Sequence, residues 1–190
     1  MRLIQGSFRI AFLIAGLIAP GLLSAQTGWY TMADTTNGFS CDFPAQPKES
    51  EQHIHTNIGF LQMHVYQFDA TNDPAAQNLD YMVTYTPYPD SLVNSDQADK
   101  LDSFYNDAIG GAVKNARGTK EYVRDIQVDG YRGKEAKILL QKGMAMIRMR
   151  MVLVKNRFYM YLVVLETTKD NNPSIQKFFD SFALLPFNPQ

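Results

Sequence analysis

One cysteine, one tryptophan and three histidines stand in a chain of 190 residues. The single thiol, Cys41, excludes any intramolecular disulfide, and its expected place is a small, buried apolar position. Charge of either sign is also scarce in excess: 18 Lys and Arg stand against 19 Asp and Glu. That balance excludes the dense basic surface that nucleic acid requires. Phosphate-cradling loops are missing, because Gly110-Gly111 and Gly130-x-x-Gly133 lack the following lysine and helix start. There is no Gly-x-Ser-x-Gly elbow. With every histidine confined to residues 53–64, any Ser-His-Asp or Cys-His set would have to draw on one short segment. No catalytic residue is therefore expected. Linkers, repeats and low-complexity segments are absent as well.

A long hydrophobic run occurs once, at the start. Arg2 and Arg9 precede the apolar stretch Ile10 to Leu23, and Leu23-Ser24-Ala25 leads into Gln26. A charged head, an apolar middle and small residues at a cleavage point are the layout of a secretory signal peptide over residues 1–25. The run falls short of the roughly 20 residues that span a bilayer, so no stable membrane insertion is expected after cleavage. No cysteine stands at the cleavage point to carry a lipid anchor. The expected location is the periplasm or the exterior. Residues 26–190 then form a single domain, large enough for a core of its own.

Within that domain the pattern is strand-rich. Trp29 to Met32 and Phe39 to Phe43 read as strands, separated by the Asn37-Gly38 turn signal. Glu49 to Thr56 and Phe60 to Phe68 form a hairpin around residues 57–59. Tyr81 to Tyr85 is a further strand, stopped by Pro87 and Pro89. Ser95 is placed to cap a helix whose Ala98, Leu101, Phe104, Tyr105, Ala108 and Ile109 recur at spacings of three and four, and which ends at Gly110-Gly111 or at Gly118. A meander follows: Tyr122 to Val128, a loop at Asp129 to Gly133, then Glu135 to Gln141, Ala145 to Val154 and Phe158 to Glu166. A turn at Lys142-Gly143 sets Ile138 against Ile147 and Glu135 against Arg150. One at Asn156-Arg157 sets Met151 against Leu162. Both choices gather Ala136, Ile138, Leu140, Ile147, Met149, Met151, Leu153, Met160, Leu162 and Val164 on one face. Pro173-Ser174 opens a last helix with Ile175, Phe178, Phe179 and Phe182 turned inward. The fold class is α+β, with a central antiparallel sheet of about six to eight strands flanked by helices.

Three stretches carry a family likeness. Gly38-Phe39-Ser40-Cys41-Asp42-Phe43-Pro44 is an opening strand of the form G-F-S-hydrophobic-x-x-P. Ile126 to Glu135 is a strand followed by Gly-x-x-Gly-x-Glu. Phe178-Phe179-Asp180-Ser181-Phe182 is a closing F-x-x-S-F helix. In these the chain resembles the PsbP-like superfamily, and together they span most of the expected domain. The resemblance implies an α-β-α sandwich and a non-enzymatic adaptor or ligand-binding module, and it carries no catalytic residue onto this chain. The absent lipid-anchor cysteine departs from the family's envelope lipoproteins.

Two constellations remain as candidate sites. His53 and His55 share one strand face, and a two-residue turn at Ile58-Gly59 would set His53 directly opposite His64. Three imidazoles on one face suit Zn or Cu, so one reading is a periplasmic metal carrier or sensor. The other is a solvated polar strand face. Met144, Met146, Met149 and Met151 are soft ligands for copper, yet they alternate across their strand and fit a core. Tyr81, Tyr85 and Tyr161 could line a groove between helix and sheet edge, each burying a ring while offering a hydroxyl. Arg148 and Arg150, with Lys137 and Arg124, could meet an anionic group, or pair with Glu135 and Glu121. The resulting expectation is an exported binding or assembly module that needs no cofactor. Its partner would be a protein or small molecule of the cell envelope.

Overall fold

The computed structural model describes residues 28–56 and 58–186. The expected leader lies outside them. Ten strands and two helices run in the order β1 (Tyr30–Asp34), β2 (Phe39–Phe43), β3 (Lys48–Thr56), β4 (Gly59–Asp69), β5 (Asp80–Pro87), α1 (Leu101–Ala116), β6 (Thr119–Val128), β7 (Tyr131–Leu140), β8 (Ala145–Val154), β9 (Arg157–Glu166), α2 (Pro173–Ser181) and β10 (Ala183–Leu184). Seven of the strands form one antiparallel sheet in the order β3-β4-β5-β9-β8-β7-β6. The other three form a small sheet, β1-β2-β10.

Side chains alternate across a strand; both sets of β9 are apolar between its end residues Arg157 and Glu166, and in β8 one set is wholly apolar while the other holds Met146, Val152 and Val154 beside Arg148 and Arg150. The large sheet therefore needs a cover on each face. On one face, Leu101, Tyr105 and Ile109 of α1 pack on Ala136, Ile138, Met149, Met151 and Leu153. All ten residues assigned to that face from the sequence lie there. Tyr105 fastens the helix with its hydroxyl, which donates to the Arg132 carbonyl at 2.6 Å and accepts from the Leu153 amide at 2.8 Å. On the other face, the small sheet and α2 bring Phe39, Phe43, Phe178, Phe179 and Phe182 onto Tyr81, Val83, Tyr85, Tyr159 and Tyr161. Ser181 joins those two covering elements, accepting from the Asp42 amide at 2.9 Å and donating to the Phe178 carbonyl at 2.7 Å. Cys41 is sealed beneath them, and burial pushes its thiol up to about 12.

Three local expectations are corrected, and of the two ends expected for α1 the structure takes Gly118. Ser95 does not cap α1, which starts six residues later after Lys100. Its hydroxyl accepts from the Lys155 amide at 3.0 Å, and its own amide donates to the Lys155 carbonyl at 2.8 Å. The same loop sets the β8–β9 turn: Tyr88 and Asn156 also exchange hydrogen bonds, so Lys155-Asn156 turns and Met151 faces Met160. That shift of two residues keeps every side chain on its expected face. Asp129 and Gly130, both at positive φ, make a two-residue turn of the type that matches strand twist. Most of the expected loop is thus strand. Gly110-Gly111 lies within α1, which ends at the left-handed Arg117 with the Gly118 amide reaching back to the Val113 carbonyl.

Two glycines of equal composition should respond with opposite sign. A Cβ on Gly133 would stand 2.5 Å from the Met151 carbonyl oxygen, whereas one on Gly110 meets nothing within 4 Å. Gly133→Ala should lower unfolding free energy by about 1–3 kcal/mol. Gly110→Ala should raise it by about 0.5–1 kcal/mol. Urea unfolding midpoints of the two variants check both signs.

Candidate ligand-binding groove

The structure separates the tyrosines singled out from the sequence. Tyr161 is buried and stacks on Phe182 with ring centroids 4.3 Å apart. Tyr81 packs edge-on against Phe178, and its hydroxyl accepts from the Asn78 side-chain amide at 2.8 Å. Both belong to the core beneath α2 rather than to a groove beside α1. Tyr85 alone of the three reaches a cavity.

The arginines converge on a carboxylate. Glu135 is wholly buried and accepts from Arg124 (2.7 Å), Arg148 (3.1 Å), Arg150 (2.8 Å) and the Tyr122 hydroxyl (2.9 Å). Arg148 also bonds Asp170 at 3.1 Å, and Lys137 bonds Asp170 at 2.7 Å and Glu121 at 3.2 Å. Arg150 lies 4.8 Å above the Phe179 ring. Charges paired in this way brace β6, β7 and β8, and an incoming anion would have to displace a buried carboxylate. Burial pushes Glu135 up, but the hydrogen bonds from Arg124, Arg150 and Tyr122 outweigh it and hold the group at about 2. Its folded value lies below the ordinary 4.5. The stabilisation is therefore fully present above about pH 5 and is lost as pH falls toward 2. Glu135→Gln should cost about 3 kcal/mol at neutral pH, by stranding guanidinium groups. It should also flatten the acid limb of a stability–pH profile measured by urea unfolding.

The histidine hairpin turns one position earlier than expected. Pairing runs to Thr56 opposite Gly59, so Glu51 faces His64, His53 faces Gln62 and His55 faces Phe60. His53 does not stand opposite His64. His53 and His55 are exposed, and His55 meets the Phe60 ring edge-on. Among the described residues no three His, Cys, Asp or Glu side chains gather to hold a metal ion. His64 is occupied otherwise: its ring lies flat on Tyr85, with centroids 4.4 Å apart, and its Nδ1 is 3.3 Å from Glu51 Oε1.

That stack forms the floor of a cavity of about 650 Å³. Its origin is geometric. Pairing between β4 and β5 ends at His64 opposite Tyr85, just before Pro87, which has no amide to extend the ladder. Beyond that point β3 and β4 continue as a two-stranded ribbon. The β1–β2 turn closes over the base of the ribbon and leaves the cavity between them. Asp34, Glu49 and Glu51 line it, together with His64, Tyr66 and Tyr85. The Tyr66 hydroxyl is 2.8 Å from Asp34 Oδ2 and 3.2 Å from Glu49 Oε1. One proton thus serves two carboxylates. Burial pushes Asp34 up, but hydrogen bonds from Asn37 and Tyr66 prevail and hold it below the usual carboxylate range. Burial, reinforced by the charges of Asp34 and Glu49, pushes the Tyr85 phenol up and keeps it a proton donor. Tyr85 is only 4% exposed, and its hydroxyl has no hydrogen-bond partner among the described residues.

Asp34, Glu49, Glu51 and Tyr66 were not singled out from the sequence. Glu49 and Glu51 do share the two-residue spacing of His53 and His55, a signal that was present. Asp34 arrives from another sheet and leaves no local trace. Tyr66→Phe removes the hydroxyl that ties β1 to β4 through a charged acceptor. It should lower stability by about 1–3 kcal/mol, read as a shift in the urea midpoint.

No family model and no curated protein matches the chain. Among solved structures it is similar to cyanobacterial PsbP (CyanoP) from Synechocystis, at 12% identity and a TM-score of 0.52, over 89% of this chain and 99% of that one. A protein of unknown function from Pseudomonas aeruginosa aligns at 11% identity and a TM-score of 0.40, over 74% of this chain and 99% of that one. With its seven-stranded antiparallel sheet, small second sheet and two covering helices, the chain has an α+β, PsbP-like fold.

Proposed function

We propose that the protein is an exported binding module without chemistry of its own, and that the groove between the β1–β2 turn and the β3–β4 ribbon receives its ligand. The observation that carries this reading is the composition of the groove. A stacked His64–Tyr85 floor and an unpartnered Tyr85 hydroxyl stand within a mostly polar wall that includes three carboxylates. Polar groups that converge on a concave site fix the orientation of a ligand. The expectation of export comes from the leader pattern at residues 1–25. Among the described residues no helix is long and apolar enough to cross a membrane, which is compatible with that expectation.

A ligand panel sorted by charge tests the reading. Cationic, anionic and neutral peptides and sugars are added to isotopically labelled protein, and amide chemical shifts are followed. At least one class should produce saturable shifts grouped at Asp34, Glu49, Glu51, His64, Tyr66 and Tyr85. Shifts grouped instead around Glu135 and Asp170 would move the site to the arginine cluster and overturn the assignment. A panel that moves no groove amide would do the same. A Zn²⁺ arm is included: tight one-to-one binding abolished by His64→Ala would favour a metal carrier over a binder of organic ligands.

A further inference from the structure

The groove is lined by three carboxylates and by no lysine or arginine. Arg157 approaches one end, where it donates to the Thr36 carbonyl at 3.2 Å. Asp34, Glu49 and Glu51 bond only neutral or imidazole groups: Asn37, Tyr66, Gln62 and His64. Some carboxylates elsewhere in the molecule, Glu135, Asp170, Asp102 and Asp96 among them, are paired with full cations. The groove thus gathers three carboxylates in a lining that holds no lysine or arginine, with Arg157 at one end.

Two features decide what kind of cation fits. The carboxylates share the cavity but do not converge closely enough to make a metal site among the described residues. A compact ion of high charge needs converging oxygens, whereas a planar organic cation carries N–H donors spread over several ångströms. Second, the floor is a flat aromatic pair, His64 on Tyr85, with an interplanar angle of 3°. With Tyr85 covered by His64, the face offered to a ligand is the outer one of His64, on which a planar guanidinium can lie while its edges bond carboxylates.

Building on the reading of the groove as the ligand site, we propose that it recognises a guanidinium group, lying over the His64–Tyr85 floor with its N–H edges toward Asp34, Glu49 and Glu51. The Tyr85 hydroxyl, on a buried ring but open to the cavity and without a hydrogen-bond partner among the described residues, supplies a further fixed contact to the bearer of that group. The same chemistry is offered by an arginine side chain of a partner protein and by a free guanidino compound.

Four probes test the proposal on the purified protein by chemical-shift titration: acetyl-Gly-Arg-Gly-amide, its lysine and citrulline counterparts, and agmatine. The arginine peptide should saturate shifts at Glu49, Glu51, Tyr66 and Tyr85, and bind more tightly than the lysine peptide. The citrulline peptide, planar but uncharged, should bind at least about tenfold more weakly. Glu49→Gln combined with Glu51→Gln should weaken the arginine peptide about tenfold or more. Tyr85→Phe, which keeps the ring and the stack, should weaken it about threefold to tenfold. Cooperative urea transitions confirm that these variants fold, and His53→Ala serves as a surface control. Agmatine equal to the peptide points to a small guanidino compound, and a tighter peptide points to an arginine on a partner chain. Equal affinity for the citrulline peptide, indifference to the double substitution, or tighter saturation by Ca²⁺ would overturn the proposal. If an anionic or neutral ligand fills the groove while all guanidinium probes fail, the groove remains a binding site and only its cation specificity falls.

Discussion

Burial of β8 and β9 on both faces is the constraint on which the rest of this architecture depends. A strand that is apolar on alternating positions needs one cover, and a strand apolar on all of them needs two. Met149, Met151 and Leu153 point to α1, while Met146, Val152 and Val154 point to the small sheet and α2. Hence the chain places its long helix between the two halves of the large sheet, and β1, β2, α2 and β10, the first and last elements of the described residues, form the opposite cover. The two covers are built from different material. One is a single amphipathic helix held by Tyr105, and the other is an aromatic layer centred on Phe39, whose ring approaches Tyr66, Tyr85, Tyr159 and Phe182 within about 6 Å.

The groove follows from where that second cover stops. Phe39 and its neighbours extend as far as Tyr66 and Tyr85, and past them the large sheet narrows to the β3–β4 ribbon. Tyr85 therefore sits at a boundary. Its ring is covered by Phe39 on one side and by His64 on the other, yet its hydroxyl opens to the cavity. The ribbon has little to bury. Most of β3 is exposed, and Phe60 near the tip is 75% exposed. A hairpin of that kind is marginal alone and depends on its base, where the Tyr66 hydroxyl joins Asp34 and Glu49 across two sheets. The hydroxyl that shapes the groove thus also anchors the ribbon.

Much of this was legible in the sequence, and the part that was not shares a physical cause. Period-two alternation assigned ten residues of the meander to the α1 face, and the stripe Ile175, Phe178, Phe179 and Phe182 identified α2. The segments Gly38–Pro44 and Phe178–Phe182 meet in the structure through Ser181, which ties β2 to α2. Burial periodicity is a property of the local chain, so it survives without tertiary information. Turn positions are not. The β8–β9 turn is set by hydrogen bonds to Tyr88 and Ser95, more than 50 residues away, and the expected register was off by two. The β3–β4 turn was also off by two in register, which preserved faces but separated His53 from His64. Ser95 has the composition of a helix cap and serves as a clasp on a distant turn, a role no local rule distinguishes.

The same distinction separates the two charged clusters. Arginines at 148 and 150 drew attention because basic residues on a strand rich in apolar ones stand out, yet Glu135 at zero exposure consumes their charge. A buried carboxylate that accepts from three guanidinium groups has little capacity left for a ligand. The groove reverses that arrangement. Its carboxylates are distributed over β1 and β3, so none is conspicuous in the chain, and their hydrogen-bond donors are a phenol, amides and an imidazole. Asn37, Tyr66 and Gln62 carry no charge, so they hold these groups in place without cancelling theirs. Position fixed and charge retained are what a recognition site for a cation requires, and what an internal brace such as Glu135 has given up.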